Sequence, residues 1–423
     1  MNQHQQQTSS TATQRSSDIL IVGGGAAGIA VAASLRRRDR RVGITIVDPA
    51  TEHCYQPGWT MVGAGIFESA RTVRPMASVI PPNVRWLRDA VSTFDPEARQ
   101  VRLASGATLG YGQLIVCPGL LLDWAAIEGL PQTLGRNGVT SNYRVDLAPY
   151  TWQLVQGLRG GKALFTQPPM PIKCAGAPQK AMYLSADHWR AEGRLGDVDI
   201  QFSNAGAVLF GVAAYVPALM EYVAAYGIGL NFGENLVAVD GERKVATFVK
   251  TGPDGSRTRI ERAFDLLHVV PPQRAPDFIR DSMLADGAGW LEVDPATLRH
   301  KRYADVFGLG DVVNTSNAKT AAAARKQAPV VARNVLAVRA GREPVAAYDG
   351  YGSCPLTVAR GRIVLAEFTY GGTLAPSFPQ WLLDGTRPTA LAWHLKKSVL
   401  PRLYWQGMLK GREWLAAPAS LPG

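Results

Sequence analysis

The chain has 423 residues, 46% of them hydrophobic and 19% charged, which is typical of a globular protein of two or three domains and excludes a disordered one. The net charge of +11 suits an anionic surface such as phosphates, nucleic acid or acidic lipid. The four cysteines are too few and too scattered for a disulfide framework, and no C-x-x-C pair indicates a structural metal site.

The first 17 residues are rich in Gln, Ser and Thr and contain no apolar run. This composition predicts a disordered tail and not a secretory signal. The rest of the chain also lacks about twenty consecutive uncharged apolar residues, so we expect no membrane-spanning helix.

A glycine-rich turn follows the first apolar run, residues 19–22, which Asp18 precedes. Its glycines fit G-x-G-x-x-G, and we expect a strand before them and a helix over residues 29–38 after them. Such glycines permit a tight turn, let the backbone approach a pyrophosphate and let the helix pack close to the strand. The predicted phosphate-binding loop consists of Gly23, Gly25, Ala26, Ala27 and Gly28.

A second strand over residues 42–47 ends in Asp48, about twenty residues after Gly28, where an acid can bind a ribose hydroxyl. Gln56 follows in a Gly-rich loop at the edge where a cofactor would lie. An apolar strand then ends at Gly119, a weaker version of the Ala-Thr-Gly strand end of two-dinucleotide-domain flavoproteins. We therefore expect residues 18–140 to form the first part of an FAD-binding domain.

Residues 141–263 read as a second unit of the same kind. The prolines of residues 168–180 predict a rigid loop that places Lys173 and Cys174, and Lys173 is a candidate for lowering the pKa of its neighbour. A strand over residues 199–203 is followed by NAGAVLFG, which lacks a full G-x-G-x-x-G. The sequence predicts a Rossmann-like domain that has lost its nicotinamide site.

Residues 264–345 are predicted to return to the first domain. The strand in YADVFGLGD ends in Gly310 and Asp311, and such an aspartate holds the ribityl chain of FAD in flavoproteins of this layout. The next helix is predicted over residues 315–338, with Lys319 in its first turn. Its N-terminus would stabilise the negative charge of a reduced flavin.

Residues 346–423 close the chain. A turn at residues 349–355 carries Cys354, and a strand is predicted over residues 363–368. Residues 378–416 then mix Trp, Leu, Lys and Arg at helical spacing, which predicts one or two amphipathic helices lying in a membrane interface. Core packing or a dimer face is the alternative. The tryptophans of this stretch include Trp381, Trp393, Trp405 and Trp414.

Four motifs together resemble the sulfide:quinone oxidoreductases, in particular their type II branch of mitochondria and bacteria. PIKCAGAPQK around Cys174 and YDGYGSCPL around Cys354 are the most specific of them. EHCYQPGWTMVGAG from Glu52 and GLGDVVNTSNAKTAAA from Gly308 add to the match, which covers residues 18–414.

The resemblance implies an α/β fold of tandem Rossmann-like dinucleotide-binding domains, like that of the disulfide reductases, with a C-terminal amphipathic membrane-attachment region. It implies FAD as cofactor, hydrogen sulfide as electron donor and ubiquinone as electron acceptor. A sulfane-sulfur acceptor, such as sulfite or glutathione, would complete the reaction. The expected place is the surface of the bacterial inner membrane, with a homo-oligomer left open.

Sulfide is a nucleophile that can attack a disulfide, leaving a persulfide on one sulfur and a thiolate on the other. The thiolate can pass an electron pair to a flavin. This chemistry requires two neighbouring cysteines beside the cofactor, and Cys174 and Cys354, each in a proline-containing loop, are the candidates. The resemblance implies that Cys354 bears the persulfide and Cys174 attacks the flavin, an order that the residues alone leave open.

The remaining candidates carry weaker signals. Cys54 and Cys117 are interpreted as apolar fillers, although type I members of the family use a third cysteine. His53 is interpreted as a solvated loop residue. A quinone site is sought among Phe368, Tyr370 and the C-terminal region.

Four other functions fit part of the sequence. A type II NADH:quinone dehydrogenase would share FAD, quinone and membrane attachment, but it needs an intact second fingerprint. A flavocytochrome-type sulfide dehydrogenase would be exported. A non-catalytic flavin-binding redox sensor would keep the cysteines, and a nucleic-acid-binding protein would need a basic patch with exposed aromatic residues.

Overall fold

The computed structural model describes residues 15–252 and 254–421. Of the predicted N-terminal tail, residues 1–14 lie outside this range. Residues 15–17 pair with residues 109–111 of a neighbouring strand, so the first strand begins three residues before the predicted position.

The first sheet is built around two strand segments, the apolar ILIV and the largely apolar ITIV, whose residues are buried on both faces. That pattern is typical of parallel strands covered by helices. Strand β1 lies between β2 and β6, and all three run parallel, whereas β5 pairs antiparallel with β6 and β4 pairs antiparallel with β5. The elements are β1 (Arg15–Val22), α1 (Ala26–Arg38), β2 (Ile44–Val47), β3 (Val84–Leu87), β4 (Val91–Asp95), β5 (Gln100–Leu103) and β6 (Thr108–Val116).

The second sheet has five parallel strands in the order β7-β14-β8-β9-β10. A separate antiparallel sheet of β11, β12 and β13 lies between β10 and β14 in the chain. The elements are β7 (Val139–Thr140), α2 (Ala148–Gly157), β8 (Gly161–Gln167), α3 (Ala177–Ala191), β9 (Val198–Asn204), α4 (Val216–Ala225), β10 (Gly229–Phe232), β11 (Glu234–Asp240), β12 (Val245–Thr251), β13 (Arg257–Ala263) and β14 (Leu266–His268).

Helix α3 begins inside the stretch that its prolines predict to be a loop. Pro178 lies in the first turn of the helix, where a missing N–H costs nothing, so it starts the helix instead of excluding it. The irregular segment therefore ends at Gly176.

The chain then returns to the first sheet, as predicted. Strand β15 (Val306–Gly308) pairs in parallel with the end of β6, and helix α5 (Ala321–Arg339) packs against α1. The helix begins six residues later than predicted, because Thr320 caps it by accepting a hydrogen bond from the Ala323 N–H.

The hairpin of β16 (Gly352–Ala359) and β17 (Arg362–Phe368) packs against α3 of the second domain. Cys354 therefore lies on a buried strand and not in the predicted turn or loop. The prediction failed because a Gly-Ser-Cys-Pro sequence has the composition of a turn, whereas the neighbouring strand supplies pairing partners.

The C-terminal region is helical over residues 390–410, here called the tail helix, in consecutive α, π and 3₁₀ turns. Trp381 and Trp414 are 85% and 56% exposed, but Trp405 is buried in the core of the first domain. The stretch is thus partly amphipathic surface and partly core. None of the helices in residues 15–252 and 254–421 combines the length and apolarity needed to cross a bilayer.

The described residues also contain short strands and short α-helices besides the elements named above. The short strands, which pair antiparallel, are Glu52–Cys54 with Val73–Pro75, Leu121–Leu122 with Gln273–Arg274, and Ala346–Ala347 with Ala419–Ser420. The short α-helices are Trp59–Val62, Leu130–Thr133 and Asp277–Arg280.

Candidate functional site

The glycine-rich turn after β1 has the geometry that a phosphate-binding loop needs. Gly23 has a φ of +105°, and a Cβ there would lie 2.6 Å from the carbonyl oxygen of Cys117. A Cβ on Gly28 would lie 1.9 Å from the carbonyl oxygen of Gly23, so only glycine lets α1 approach this closely. Ala26 and Ala27 form the first turn of that helix.

Two other glycines leave backbone open at the same edge of the sheet. A Cβ on Gly25 or on Gly119 would meet no protein atom within 4 Å. Gly25 is exposed although its neighbours Gly24 and Ala27 are buried. Beside them, Asp48 accepts hydrogen bonds from the N–H groups of Gly24 and Ala50 at the end of β2. This edge is where doubly wound sheets bind dinucleotides, and the open backbone fits the pyrophosphate of FAD.

The end of β15 joins this edge. Gly310 has a φ of +81°, and a Cβ there would lie 3.1 Å from the Cβ of Ala27. Its N–H donates to Gln327 of α5. Burial raises the pKa of the next residue, Asp311, against the opposing charges of Lys173 and Lys319.

Lys319 does not lie in the first turn of α5, because the residues before the cap Thr320 form a loop. Its buried ammonium donates to the carbonyl oxygens of Asp311 and Val313 and lies 4.2 Å from the ring centroid of Trp290. Burial lowers the pKa of Lys319 to about 8. The Lys319 side chain thus fixes the backbone of the turn that contains Asp311.

Cys174 and Cys354 meet, although they are far apart in the sequence. Their Sγ atoms are 3.7 Å apart, the contact distance of two reduced sulfurs. Close packing of backbone makes this possible, because a Cβ on Gly176 would lie 2.5 Å from the Sγ of Cys354.

The backbone of Cys174 is held against the first domain. It has a φ of +49°, and its N–H donates to the carbonyl oxygen of Lys319 at 2.9 Å. The buried hydroxyl of Tyr143 donates to the carbonyl oxygens of Lys173 and Cys174. The sulfur pair therefore lies next to the segment that leads from Asp311 into α5.

Two buried lysines put positive charge on the sulfur pair. The ammonium of Lys180, on α3, donates to the Sγ of Cys174 at 3.3 Å. Lys396, on the tail helix, donates to the carbonyl oxygen of Pro57 at 2.8 Å, and its charge also acts on both cysteines. Both side chains are nearly inaccessible, at 2% and 3% exposed.

These contacts shift the pKa values of the two thiols in opposite directions. The pKa of Cys174 is held well below its usual value, because Cys354 donates its thiol hydrogen to it and the two lysine charges outweigh the cost of burial. The same hydrogen bond and burial raise the pKa of Cys354. In the reduced pair, Cys174 is therefore the thiolate.

The pKa values of the two lysines are also shifted in opposite directions. Although burial opposes its charge, the sulfurs of Cys174 and Cys354 raise the pKa of Lys180. Burial, and then the neighbouring Lys180, lower the pKa of Lys396 to about 7. Neither residue is predicted from the sequence. The i, i+6 spacing of Cys174 and Lys180 across a helix start was the only available signal for one, and there was none for the other.

Lys173 has a different position from the one its sequence suggested. Its ammonium donates to the side-chain oxygen of Gln56 and lies 5.6 Å from the ring centroids of Trp59 and Tyr143. The ammonium in hydrogen-bond contact with the Cys174 sulfur is that of Lys180. Gln56 thus joins the loop after β2 to the cysteine loop.

His53 is not a solvated loop residue. It is 2% exposed, and its ring nitrogens bond the carbonyl oxygen of Gly24 and the hydroxyl of Tyr404. Burial lowers its pKa. The ring therefore connects the phosphate-binding loop to the tail helix.

The other cysteines lie apart from this arrangement. Cys117 is buried, with its Sγ 3.6 Å from the carbonyl oxygen of Gly23, and burial raises its pKa. Cys54 is half-buried, and burial and the charge of Glu52 raise its pKa. Neither thiol is activated as that of Cys174 is.

The two predicted quinone-site residues lie beyond β17 and at its end. Phe368 packs its ring against that of Phe210, with centroids 6.1 Å apart. The hydroxyl of Tyr370 donates to the carbonyl oxygen of Pro295 at 3.0 Å. Phe368 is the last residue of the hairpin that carries Cys354, and Tyr370 follows it by two residues.

The loop after β9 differs from the phosphate-binding loop. The side chain of Asn204 fills it, accepting a hydrogen bond from the Gly206 N–H and donating to the carbonyl oxygen of Val208. The Gly206 N–H, which could otherwise face a phosphate, is thus bonded by the protein itself.

Comparison with known proteins gives consistent relatives. Residues 17–149 match the family described as Pyridine nucleotide-disulphide oxidoreductase. The chain is 39% identical over 383 residues to "Sulfide:quinone oxidoreductase, mitochondrial" of Mus musculus, covering 90% of this chain and 84% of that protein. The protein of the same name from Dictyostelium discoideum is 41% identical over 387 residues, covering 91% and 84%.

Solved structures share the fold. The sulfide:quinone oxidoreductase of Aquifex aeolicus superposes with a TM-score of 0.78 at 17% identity, over 94% of this chain and 92% of that chain. A chain of the Tetrahymena thermophila mitochondrial ATP synthase gives a TM-score of 0.82 at 21% identity, over 96% and 99%. The α/β fold of tandem Rossmann-like domains is therefore confirmed.

Proposed function

The chain belongs to the sulfide:quinone oxidoreductase family, and we propose that its Cys174–Cys354 pair oxidises hydrogen sulfide and delivers two electrons through FAD to a quinone. The observation that carries this proposal is the 3.7 Å contact of the two sulfurs with the Lys180 ammonium 3.3 Å from Cys174. A buried dithiol with one stabilised thiolate is suited to exchange with a sulfur nucleophile.

The first step starts from the oxidised pair. Hydrosulfide attacks the Sγ of Cys354, a new S–S bond forms there, and the Cys174–Cys354 bond breaks with its electron pair leaving on Cys174. Lys180 stabilises the leaving thiolate, which is the physical reason to place the persulfide on Cys354. An acceptor such as sulfite or glutathione then takes the outer sulfur and leaves Cys354 as a thiol.

The second step restores the disulfide. The two cysteines lose two electrons and their remaining proton as the Sγ–Sγ bond re-forms. Bound FAD would supply the two-electron acceptor for this step and would be reoxidised by the quinone. Lys180 stabilises the thiolate of Cys174, and Tyr143 fixes the backbone of Cys174.

The residues proposed to hold FAD lie along one edge of the first sheet and at the start of α5. The phosphate-binding loop and Asp48 would take the adenosine and pyrophosphate part, and Gly310 and Asp311 the ribityl chain. Gln56 and Lys319 would hold the surrounding loops in place. The set is Gly23, Gly25, Ala26, Ala27, Gly28, Asp48, Gln56, Gly119, Gly310, Asp311 and Lys319.

The quinone and the membrane belong to the same proposal. We place the quinone near Phe368, Tyr370 and the C-terminal region, and the protein on the surface of the bacterial inner membrane. The exposed apolar side chains of this region, including Trp381, Leu391 and Trp414, support attachment there.

A direct test mixes the purified protein anaerobically with sulfide and follows flavin absorbance by stopped flow. We expect rapid bleaching in the parent, loss of bleaching in Cys174→Ser and Cys354→Ser, and recovery of absorbance with a soluble quinone. Cys117→Ser is the matched control, because that thiol is buried against the Gly23 carbonyl oxygen and its pKa is raised by burial, unlike that of Cys174. Bleaching by NADH and not by sulfide would refute the proposal in favour of an NADH dehydrogenase.

A further inference from the structure

A basic cavity lies between the tail helix and the loop that precedes Val73–Pro75. It has a volume of about 160 Å³. Three arginines from two separate segments line it together with three aromatic rings, and no carboxylate is among its lining residues. The lining residues include Arg71, Arg74, Arg402, Tyr55 and Trp405.

The three guanidinium groups are not neutralised by the protein. Within residues 15–252 and 254–421, none of them has a carboxylate within 4.0 Å or donates a hydrogen bond. Arg74 stacks on Trp405 at 4.1 Å, and Arg71 stacks on Phe67 at 4.7 Å, which orients both guanidinium groups without neutralising them. The positive charges around one small cavity repel one another, so an anion would stabilise the arrangement.

The cavity adjoins the apolar surface of the tail helix. Leu391 and Val399 are 46% and 42% exposed. Arg402 follows Val399 by three residues and thus lies on nearly the same face of the helix. Lys397 is also exposed between them, so this side of the helix combines apolar and basic side chains, as helices that lie in a bilayer interface do.

We propose that this cavity binds the phosphate of an anionic phospholipid headgroup. Arg71 and Arg402 form hydrogen bonds to the phosphate oxygens, and Arg74 on Trp405 forms the inner wall. Leu391 and Val399 enter the acyl boundary beside it. This inference rests on the proposed membrane attachment and adds to it a preference for negatively charged lipid.

The test measures flotation of the FAD-loaded protein with two kinds of vesicle, phosphatidylcholine alone and an equimolar mixture of phosphatidylcholine and phosphatidylglycerol. We expect Arg71→Gln/Arg402→Gln to weaken binding to the mixed vesicles by about 30-fold and to leave binding to neutral vesicles unchanged. Arg257→Gln/Arg259→Gln is the matched control, since it removes two exposed charges from β13, and it should retain the preference of the parent.

The outcomes are distinct. If the parent prefers mixed vesicles and both double variants behave alike, the headgroup site is refuted while membrane attachment stands. If the parent binds neither vesicle, attachment itself fails, although sulfide-driven flavin reduction can still succeed. If inorganic phosphate at constant ionic strength binds but lipid preference is absent, the cavity takes a soluble anion, and the proposal is overturned. The proposal would also be overturned if Arg71→Gln/Arg402→Gln raised the KM for a short-chain quinone and left vesicle binding unchanged.

Discussion

Both large sheets contain parallel strands joined by helices, but they present different chemistry at the carboxyl edges of those strands. The loop after β1 leaves the backbone of Gly25 open, whereas the loop after β9 is filled by the side chain of Asn204. The second sheet instead uses the connection from β8 to α3 to carry Cys174. Both sheets thus keep the same kind of fold, while the chemistry at each edge depends on which loop atoms are free to contact a ligand.

The largest effect is expected from a methyl group in the first loop. Gly28→Ala would place a Cβ 1.9 Å from the Gly23 carbonyl oxygen, so we expect destabilisation by about 2 kcal/mol or more and protein purified without FAD. The thermal transition and the flavin absorbance per chain measure this. Gly25→Ala, whose Cβ meets open space, should fold normally and lose only FAD affinity. Equal unfolding of both variants would contradict our account of the loop.

The next largest effect is expected from removing a positive charge beside Cys174, at the carboxyl edge of the second sheet. Lys180→Met removes the ammonium 3.3 Å from Cys174, so we expect the thiolate fraction and the rate of cysteine-dependent flavin reduction at neutral pH to fall ~100-fold. The rate should recover toward high pH, and Lys180→Arg should restore part of it. Lys162→Met, at an exposed position on β8, is the control. A uniform loss at every pH would indicate a structural role only.

A smaller effect concerns stability and pH. The pKa of Lys396 is lowered to about 7 in the folded state, so between that pH and its ordinary value near 10.5 the unfolded chain binds more protons. The contribution of Lys396 to the free energy of unfolding therefore rises with pH through this window. Denaturant titrations at pH 7 and 9 should show a weaker rise in Lys396→Met than in the exposed control Lys397→Met. An identical slope in both variants would show that Lys396 is not buried in its neutral form.

The smallest effect is expected in the second loop. A Cβ on the exposed Gly206 would lie 3.3 Å from the Asn204 side-chain oxygen, and its hydrogen-bonding N–H would remain. We expect Gly206→Ala to change stability by less than about 0.5 kcal/mol and to leave flavin reduction by sulfide unchanged. A loss of activity comparable with that of Gly28→Ala would mean that this loop also binds a ligand.

Local sequence patterns predicted much of the fold. The apolar runs of β1 and β2 and the glycines after them define a Rossmann unit, because strand burial and tight turns depend on neighbouring residues. Element boundaries were less certain. Thr320 caps α5 later than its alanine-rich sequence suggests, and Pro178 starts α3 instead of preventing it.

The sequence by itself determined the α/β architecture, the glycine-rich turn after β1 and the two cysteine motifs, since each depends on short-range spacing. Only the tertiary structure decided that Lys180 and Lys396 act on the sulfur pair, that His53 is buried against Tyr404, and that Cys354 lies on a strand. These features arise from the packing of segments far apart in the chain. Burial and charge act through space, so no local pattern encodes the pKa values they set.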